Sequence, residues 1–167
     1  MERTIKIKPN KSFRENARAF IPALYDEMMG YNHRVLMSSR FKEELHAMRI
    51  AGKKLRYAME LCNDMFGEEF EALREQIKAL LERFGIIHDI DVGLPVLQDH
   101  LGYVRTYNQK VSQRSGKLST KGLARIITGR KGQRSTLYKE VVTIIRSWED
   151  QDMRAQLVGS MQPSVPS

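Results

Sequence analysis

Apolar residues recur at intervals of three and four along most of the chain, which is typical of amphipathic helices that bury one face. In the first segment, Ser12 and Glu15 stand at the spacing of a capping box, which predicts a helix start. The apolar stripe that follows comprises Phe13, Ala17, Phe20, Leu24 and Met28. Pro22 lies inside this stripe, so we expect a kinked or divided helix that fades near Gly30 or resumes to about Met37.

A second stripe predicts a helix that is capped by Ser38 or Ser39 and closed at Phe66–Gly67. Its apolar positions are Phe41, Leu45, Met48, Leu55, Met59 and Cys62. Gly52 occupies the one position of this stripe that lacks an apolar side chain. Because glycine weakens a helix interior by about 0.8–1.0 kcal/mol relative to alanine, its presence indicates that another group approaches closely there.

A third helix is predicted from about Glu68 to Ile87, with a continuation to about Tyr107. Residues 110–134 then contain eight Lys or Arg, four Gly and no acid, which predicts a mobile basic connection. The last helix is predicted to start at Ser135. Its core stripe is Leu137, Val141, Ile144 and Trp148.

These patterns predict an all-α protein, an antiparallel bundle of about four long helices with a basic flexible loop before the last helix. We expect one domain over residues 1–158 and a disordered tail over residues 159–167, where Pro and Ser are frequent. Strand-like alternation is confined to the first eight residues.

The composition suits a globular protein that meets an anionic partner. Hydrophobic residues make up 41% of the 167 positions, while the net charge is +8 and the isoelectric point is about 9.7. No apolar run approaches the roughly 20 residues of a membrane span, and the first eight residues lack the apolar stretch of a secretory signal. Cys62 is the only cysteine, so no intrachain disulfide forms. We therefore expect a cytoplasmic protein without membrane association.

A row of cations follows the second predicted helix at steps of four, three, four and three. Its members are Lys42, His46, Arg49, Lys53 and Arg56. This spacing places them on one face, beside the apolar stripe, over roughly 21 Å. Arg49 and Lys53 have no acid within reach on their own helix, whereas Arg56 has Glu60. An ordinary solvated face is one interpretation; acids of another helix or an anionic ligand are the others. Separated cations suit a polymer of phosphates better than a single carboxylate.

Two motifs resemble the CHAD domain, the conserved histidine α-helical domain that binds inorganic polyphosphate. His46, Arg49, Ile50, Lys53, Lys54, Leu55 and Arg56 match the first motif in order, and the segment Phe84-Gly85-Ile86-Ile87-His88-Asp89-Ile90-Asp91-Val92 matches the second. The resemblance implies a protein that binds polyphosphate. The sequence supplies no evident nucleophile or base with an orienting partner, so we expect neither an enzyme nor a metal or cofactor. The row and the motif together assign polyphosphate binding to Lys42, His46, Arg49, Lys53, Lys54 and Arg56. Such a protein is expected in the cytoplasm, where polyphosphate granules are one location.

The second motif supplies supporting residues, His88, Asp89 and Asp91. Asp91 falls on the apolar stripe of the third predicted helix, where an unpaired carboxylate is costly. We therefore expect Asp91 or Asp89 to pair with a cation of the second predicted helix; metal ligation is the alternative. Lys139 and Arg146 on the last helix could extend the anion surface, although a solvated face explains them as well.

Members of this family usually contain two such bundles around a shared groove, whereas this chain has room for one. Either the chain binds its ligand with half a site, or two copies associate to rebuild the whole site. Because isologous pairing is the commonest soluble assembly, we expect a homodimer.

Two other functions remain open at this point. A metal-dependent phosphohydrolase of the HD superfamily would use His46, His88-Asp89 and Asp99. Sequence-independent nucleic-acid binding would use the same basic face and the basic loop, although Tyr57 is the only aromatic candidate on the second predicted helix for base stacking. Polyphosphate binding explains the regular row best.

Overall fold

The computed structural model describes residues 7–162 and confirms an all-α bundle. Its helices are α1 (Phe13–Met29), α2 (Asn32–Met37), α3 (Lys42–Leu61), α4 (Glu68–Lys110), α5 (Lys121–Asp150) and α6 (Met153–Ser160). Short 3-10 turns cover Asn63–Met65 and Arg114–Gly116. Residues 1–6, with most of the expected strand-like alternation, and residues 163–167 of the expected tail lie outside the described part.

The first helix starts at the predicted capping box. The Ser12 hydroxyl accepts a hydrogen bond from the Glu15 amide at 3.2 Å, and the Glu15 carboxylate accepts one from the Ser12 amide at 2.9 Å. α1 runs without interruption through Pro22, which is buried, to Met29. A second helical piece, α2, follows and ends at Met37. The sequence predicted an end either near Gly30 or at about Met37, and the second of these is found.

The predicted ends of the second helix are wrong at both termini. α3 begins at Lys42 behind Phe41, because the Ser38 hydroxyl accepts from the Arg40 amide in the preceding turn and does not cap the helix. At the other end α3 stops at Leu61 and a 3-10 turn follows. Gly67 therefore precedes α4 and does not close α3.

The predicted basic loop over residues 110–134 is wrong for most of its length, because α5 already begins at Lys121. Leu123 and Ala124 pack against an apolar cluster that includes Leu94 of α4. This packing outweighs the weak helix preference of a segment with three glycines. Ser135 consequently lies inside α5.

The predicted tail also starts too early. α6 extends to Ser160, and Leu157 and Met161 are buried in the main core. Residues 159–161 are therefore part of the folded domain.

α4 is one continuous helix of 43 residues, about 64 Å long at 1.5 Å per residue, and includes Pro95. α3, with 20 residues, is only about half that length. The main core joins α1, α2, α3 and α6 to the first half of α4 and the second half of α5. The remaining halves of α4 and α5 form a two-helix extension, here called the hairpin (residues 86–134), with its own small cluster of Ile90, Leu94, Leu101 and Ile127.

Gly52 lies where side chains of α1 and α4 pack against α3. A Cβ at this position would lie 2.6 Å from Leu81 Cδ2 and 3.0 Å from Met28 Sδ. The close approach expected from the sequence is thus made by core side chains of the protein itself. In contrast, a Cβ at Gly85, inside α4, would meet no atom within 4 Å.

These two glycines give a matched prediction. Gly85→Ala should raise the free energy of unfolding by about 0.8–1.0 kcal/mol, because alanine is the better helix former. Gly52→Ala gains the same helix preference but overpacks the core, which typically costs about 1–3 kcal/mol. Urea unfolding of both variants should place Gly52→Ala at least about 1 kcal/mol below Gly85→Ala. Equal stability of the two variants would contradict the close packing at Gly52.

Candidate anion-binding site

The predicted row of cations lies along the edge of α3 that faces α4. α3 contributes its buried stripe to the core, and the row stands beside it at helical spacing. His46 is exposed, whereas Arg49 and Lys53 are half-buried. The cations therefore lie where solvent screens them less than on an open surface.

The middle of this row has no carboxylate partner. Within the part of the chain that the structure describes, Arg49 makes no hydrogen bond or ion pair. Lys53 places its ammonium 5.9 Å from the centroid of the Tyr57 ring and likewise pairs with no acid there. Arg56 differs, because its guanidinium bonds Glu60 at 2.7 Å and lies 4.4 Å from the same ring centroid. The charges of Arg49 and Lys53 thus remain available to an external anion.

Lys54 occupies the other edge of α3, toward α1. Its ammonium lies 3.1 Å from a carboxylate oxygen of Glu27. The sequence motif groups Lys54 with the row, but this ion pair directs its charge into the contact between α1 and α3.

Two imidazoles meet where α3 crosses to α4. Nδ1 of His46 lies 3.2 Å from Nδ1 of His88, and the ring centroids are 4.6 Å apart. One ring must donate the shared proton and the other must accept it. A further proton taken up by this pair would add positive charge directly beside Arg49.

Asp91 forms the strongest electrostatic contact of the site. Arg134 donates to both of its carboxylate oxygens, at 2.7 and 2.9 Å, and the Lys42 ammonium lies 3.0 Å from one of them. Arg134 also donates to the Ser39 carbonyl at 3.0 Å. The side chains of Asp91 and Arg134 are each only 12% exposed. A bidentate pair of this kind fixes both position and orientation.

Burial alone would raise the pKa of Asp91, but the hydrogen bonds from Arg134 and Lys42 outweigh it and lower the pKa. The expected pairing of Asp91 with a cation of the second predicted helix is therefore present. Its second partner, Arg134, was not anticipated. It lies 43 residues further along the chain, within the segment predicted to be a loop. The only signal for it in the sequence is that a carboxylate on the apolar stripe, Asp91, requires a cationic partner.

A cavity of about 270 Å³ lies at this end of the row. Its lining residues are Lys42, Glu43, Leu45, His46, Phe84, Ile87, His88 and Asp91. Glu43 and Asp91 give it acidic as well as basic walls, so the cavity itself is not a purely cationic pocket. The uncompensated cations lie further along α3, beyond His46.

Of the four residues of the HD-type alternative, His46 and His88 meet, but the two aspartates do not join them. Asp89 is exposed, and Asp99 follows His88 by 11 residues on the same helix, about 16 Å away. Within residues 7–162, no three or more His, Cys, Asp or Glu side chains form a group that could hold a metal ion. Nor does the position of Asp89 support its predicted role beside His88 and Asp91.

Residues 3–98 match the family model of the CHAD domain. The chain belongs to the CHAD domain family. The match covers more than half of the 167 residues and includes α1, α3 and the part of α4 that carries His88 and Asp91. No curated protein and no solved structure matches the chain. No helix in the described part of this CHAD domain is long and apolar enough to cross a membrane.

The Asp91 pair yields a prediction for stability and its pH dependence. Asp91→Asn removes the carboxylate from the Arg134 guanidinium and should lower the free energy of unfolding at pH 7 by about 2 kcal/mol. Because the folded state lowers the pKa of Asp91 below its ordinary value of 3.8, the stabilisation is complete above that pH. It should disappear as the pH falls below that value. Thermal unfolding of both proteins between pH 7 and pH 2.5 measures this.

Asp99→Asn is the matched control, because Asp99 is an exposed acid on the same helix. It should leave stability within about 0.5 kcal/mol at every pH. A loss as large as that of Asp91→Asn, or an Asp91→Asn deficit that is no smaller at pH 2.5 than at pH 7, would refute the role given to the carboxylate.

Proposed function

We propose that this CHAD domain binds inorganic polyphosphate without catalysis, through the edge of α3 that carries His46, Arg49 and Lys53. The observation that carries the proposal is the state of Arg49 and Lys53, two half-buried cations in register that pair with no carboxylate in the described part of the chain. Membership of the CHAD domain family is consistent with this ligand.

The row suits a linear polyanion because of its spacing. From His46 to Lys53 it follows about 10 Å of helix, so a polymer charged at every phosphate meets each cation in turn, while a lone carboxylate meets one. Arg49 can offer two parallel N–H groups to phosphate oxygens, and Lys53 offers a mobile ammonium.

The positions of the acids near the row indicate which part of α3 the ligand contacts. Glu43 and Asp91 line the cavity at the start of α3, where Asp91 already pairs with Lys42. The opposite direction leads from His46 through Arg49 and Lys53 to Arg56, which Glu60 compensates only in part from an exposed position. We therefore place the polymer along the middle and the end of α3.

Nucleic-acid binding is a second candidate because of the charge distribution. Residues 100–139 contain ten Lys or Arg and no Asp or Glu, so the other residues together carry a net charge of −2. Lys121 and Arg125 near the tip of the hairpin are exposed. A diffuse cationic surface of this kind attracts any polyanion and discriminates weakly among them.

Charge-reversal variants on α3 and at the tip of the hairpin distinguish polyphosphate binding from nucleic-acid binding. Arg49→Glu and Lys53→Glu should each weaken binding of long-chain polyphosphate at least about tenfold, because each removes a charge-assisted contact and adds repulsion. The slope of log affinity against log salt concentration should become shallower, since fewer counterions are released. Titration calorimetry at several salt concentrations measures both quantities.

The double variant Lys121→Glu/Arg125→Glu is the control, with the same charge change as Arg49→Glu/Lys53→Glu but on the hairpin. It should retain most of the polyphosphate affinity. If it weakens binding as much as the α3 double variant, the site on α3 is refuted. RNA of equal charge should compete poorly with polyphosphate; equal competition would favour the nucleic-acid candidate.

A further inference from the structure

A second stripe runs along α4, beside the face that carries the hairpin cluster. Its members follow one another at steps of four and three: Glu82, Ile86, Asp89, Gly93, Val96, His100, Tyr103 and Tyr107. We call this set the outer stripe. A heptad-like spacing of this kind is typical of a helix that packs against another helix over its whole length.

The outer stripe is apolar and exposed at its centre and at the hairpin tip. Exposure is 40% for Ile86, 55% for Val96, 72% for Tyr103 and 41% for Tyr107. The inner face of the same segment is already occupied, because Ile90, Leu94 and Leu101 pack against α5. An open groove of about 730 Å³ accompanies the stripe between α4 and α5, and Arg130 and Gln133 form part of its wall.

The outer stripes of two copies fit each other when the copies are antiparallel. When two copies are laid antiparallel about the midpoint between Gly93 and Val96, each Gly93 faces the Val96 of the other copy. The residue without a side chain then meets a bulky one, and a Cβ at Gly93 would find open space in the single chain. Further out, Ile86 faces Tyr103.

The charged members of the stripe match in the same arrangement. Asp89 of one copy faces His100 of the other. Nδ1 of His100 lies 2.8 Å from the Val96 carbonyl oxygen of its own helix, so this nitrogen donates there. Nε2 can donate to a carboxylate when the ring carries both protons. A parallel arrangement would instead place the acid-free, cationic ends of two hairpins against each other, which is unfavourable.

We propose that a second copy of this chain packs on the outer stripe, antiparallel and related by a twofold axis near Gly93 and Val96. The stripe from Glu82 to Tyr107 is about 37 Å long and the hairpin is about 20 Å wide, which gives about 700 Å² on each protomer. Specific interfaces bury about 600–1,000 Å² per partner, so this area lies within the range of a stable dimer. The pairing is isologous, the commonest kind in soluble oligomers.

The test is the oligomeric state of the full chain without any polyanion, so its result is independent of the proposed function. Light scattering coupled to size exclusion should give a dimer for the wild type at micromolar concentration. Val96→Glu should give a monomer with unchanged helicity by circular dichroism. Leu61→Glu is the matched control: its side chain is 74% exposed at the end of α3, away from the hairpin, and the variant should remain dimeric.

A charge exchange tests the proposed register. Asp89→Lys should raise the dissociation constant of the dimer at least about tenfold, and Asp89→Lys/His100→Glu should restore it, because the exchanged pair faces each other again. A monomeric wild type at 100 µM by sedimentation, or a Val96→Glu variant that stays dimeric, would overturn the proposal. Dimers that Asp89→Lys weakens without rescue by His100→Glu would overturn the antiparallel register.

Discussion

The carboxylate of Asp91 stands on the buried edge of α4, and its need for compensation shapes the whole site. Arg134 of α5 meets it with two hydrogen bonds and Lys42 of α3 with a third contact. Arg134 also holds the Ser39 carbonyl, just before α3 begins. Three long helices are thus joined at one charge. Because removing one partner of such a pair leaves a poorly solvated ion, each of the three charged groups constrains the positions of the other two.

The same contact determines which cations of α3 are available. Lys42 forms an ion pair with Asp91, and Lys54 forms one with Glu27, so both charges are compensated within the protein. Arg49 and Lys53 lie between them along the helix and have no acid opposite. A cation without a partner at a half-buried position is unfavourable in the free protein, and an anionic ligand relieves this cost. The arrangement therefore links the electrostatics of folding to those of binding.

Local patterns predicted the helices and the row, whereas long-range packing decided the rest. The spacing of Arg49 and Lys53 is fixed by helical periodicity, and the start of α1 by Ser12, so both could be inferred from neighbours in the sequence. The hairpin could not, because the helical state of residues 121–134 depends on contacts with α4. For the same reason Arg134 was assigned to a loop, and its contact with Asp91 spans 43 residues.

The main core and the hairpin differ in how much of their apolar surface is buried within the single chain. The main core is enclosed by parts of six helices, whereas the hairpin cluster has four buried residues between two. A two-helix unit of this kind buries too little area to offset the entropy of ordering its backbone. The outer stripe extends from Glu82 to Tyr107, mostly within the hairpin, where the single chain lacks burial. Association there would stabilise the hairpin and leave the edge of α3 open to its ligand.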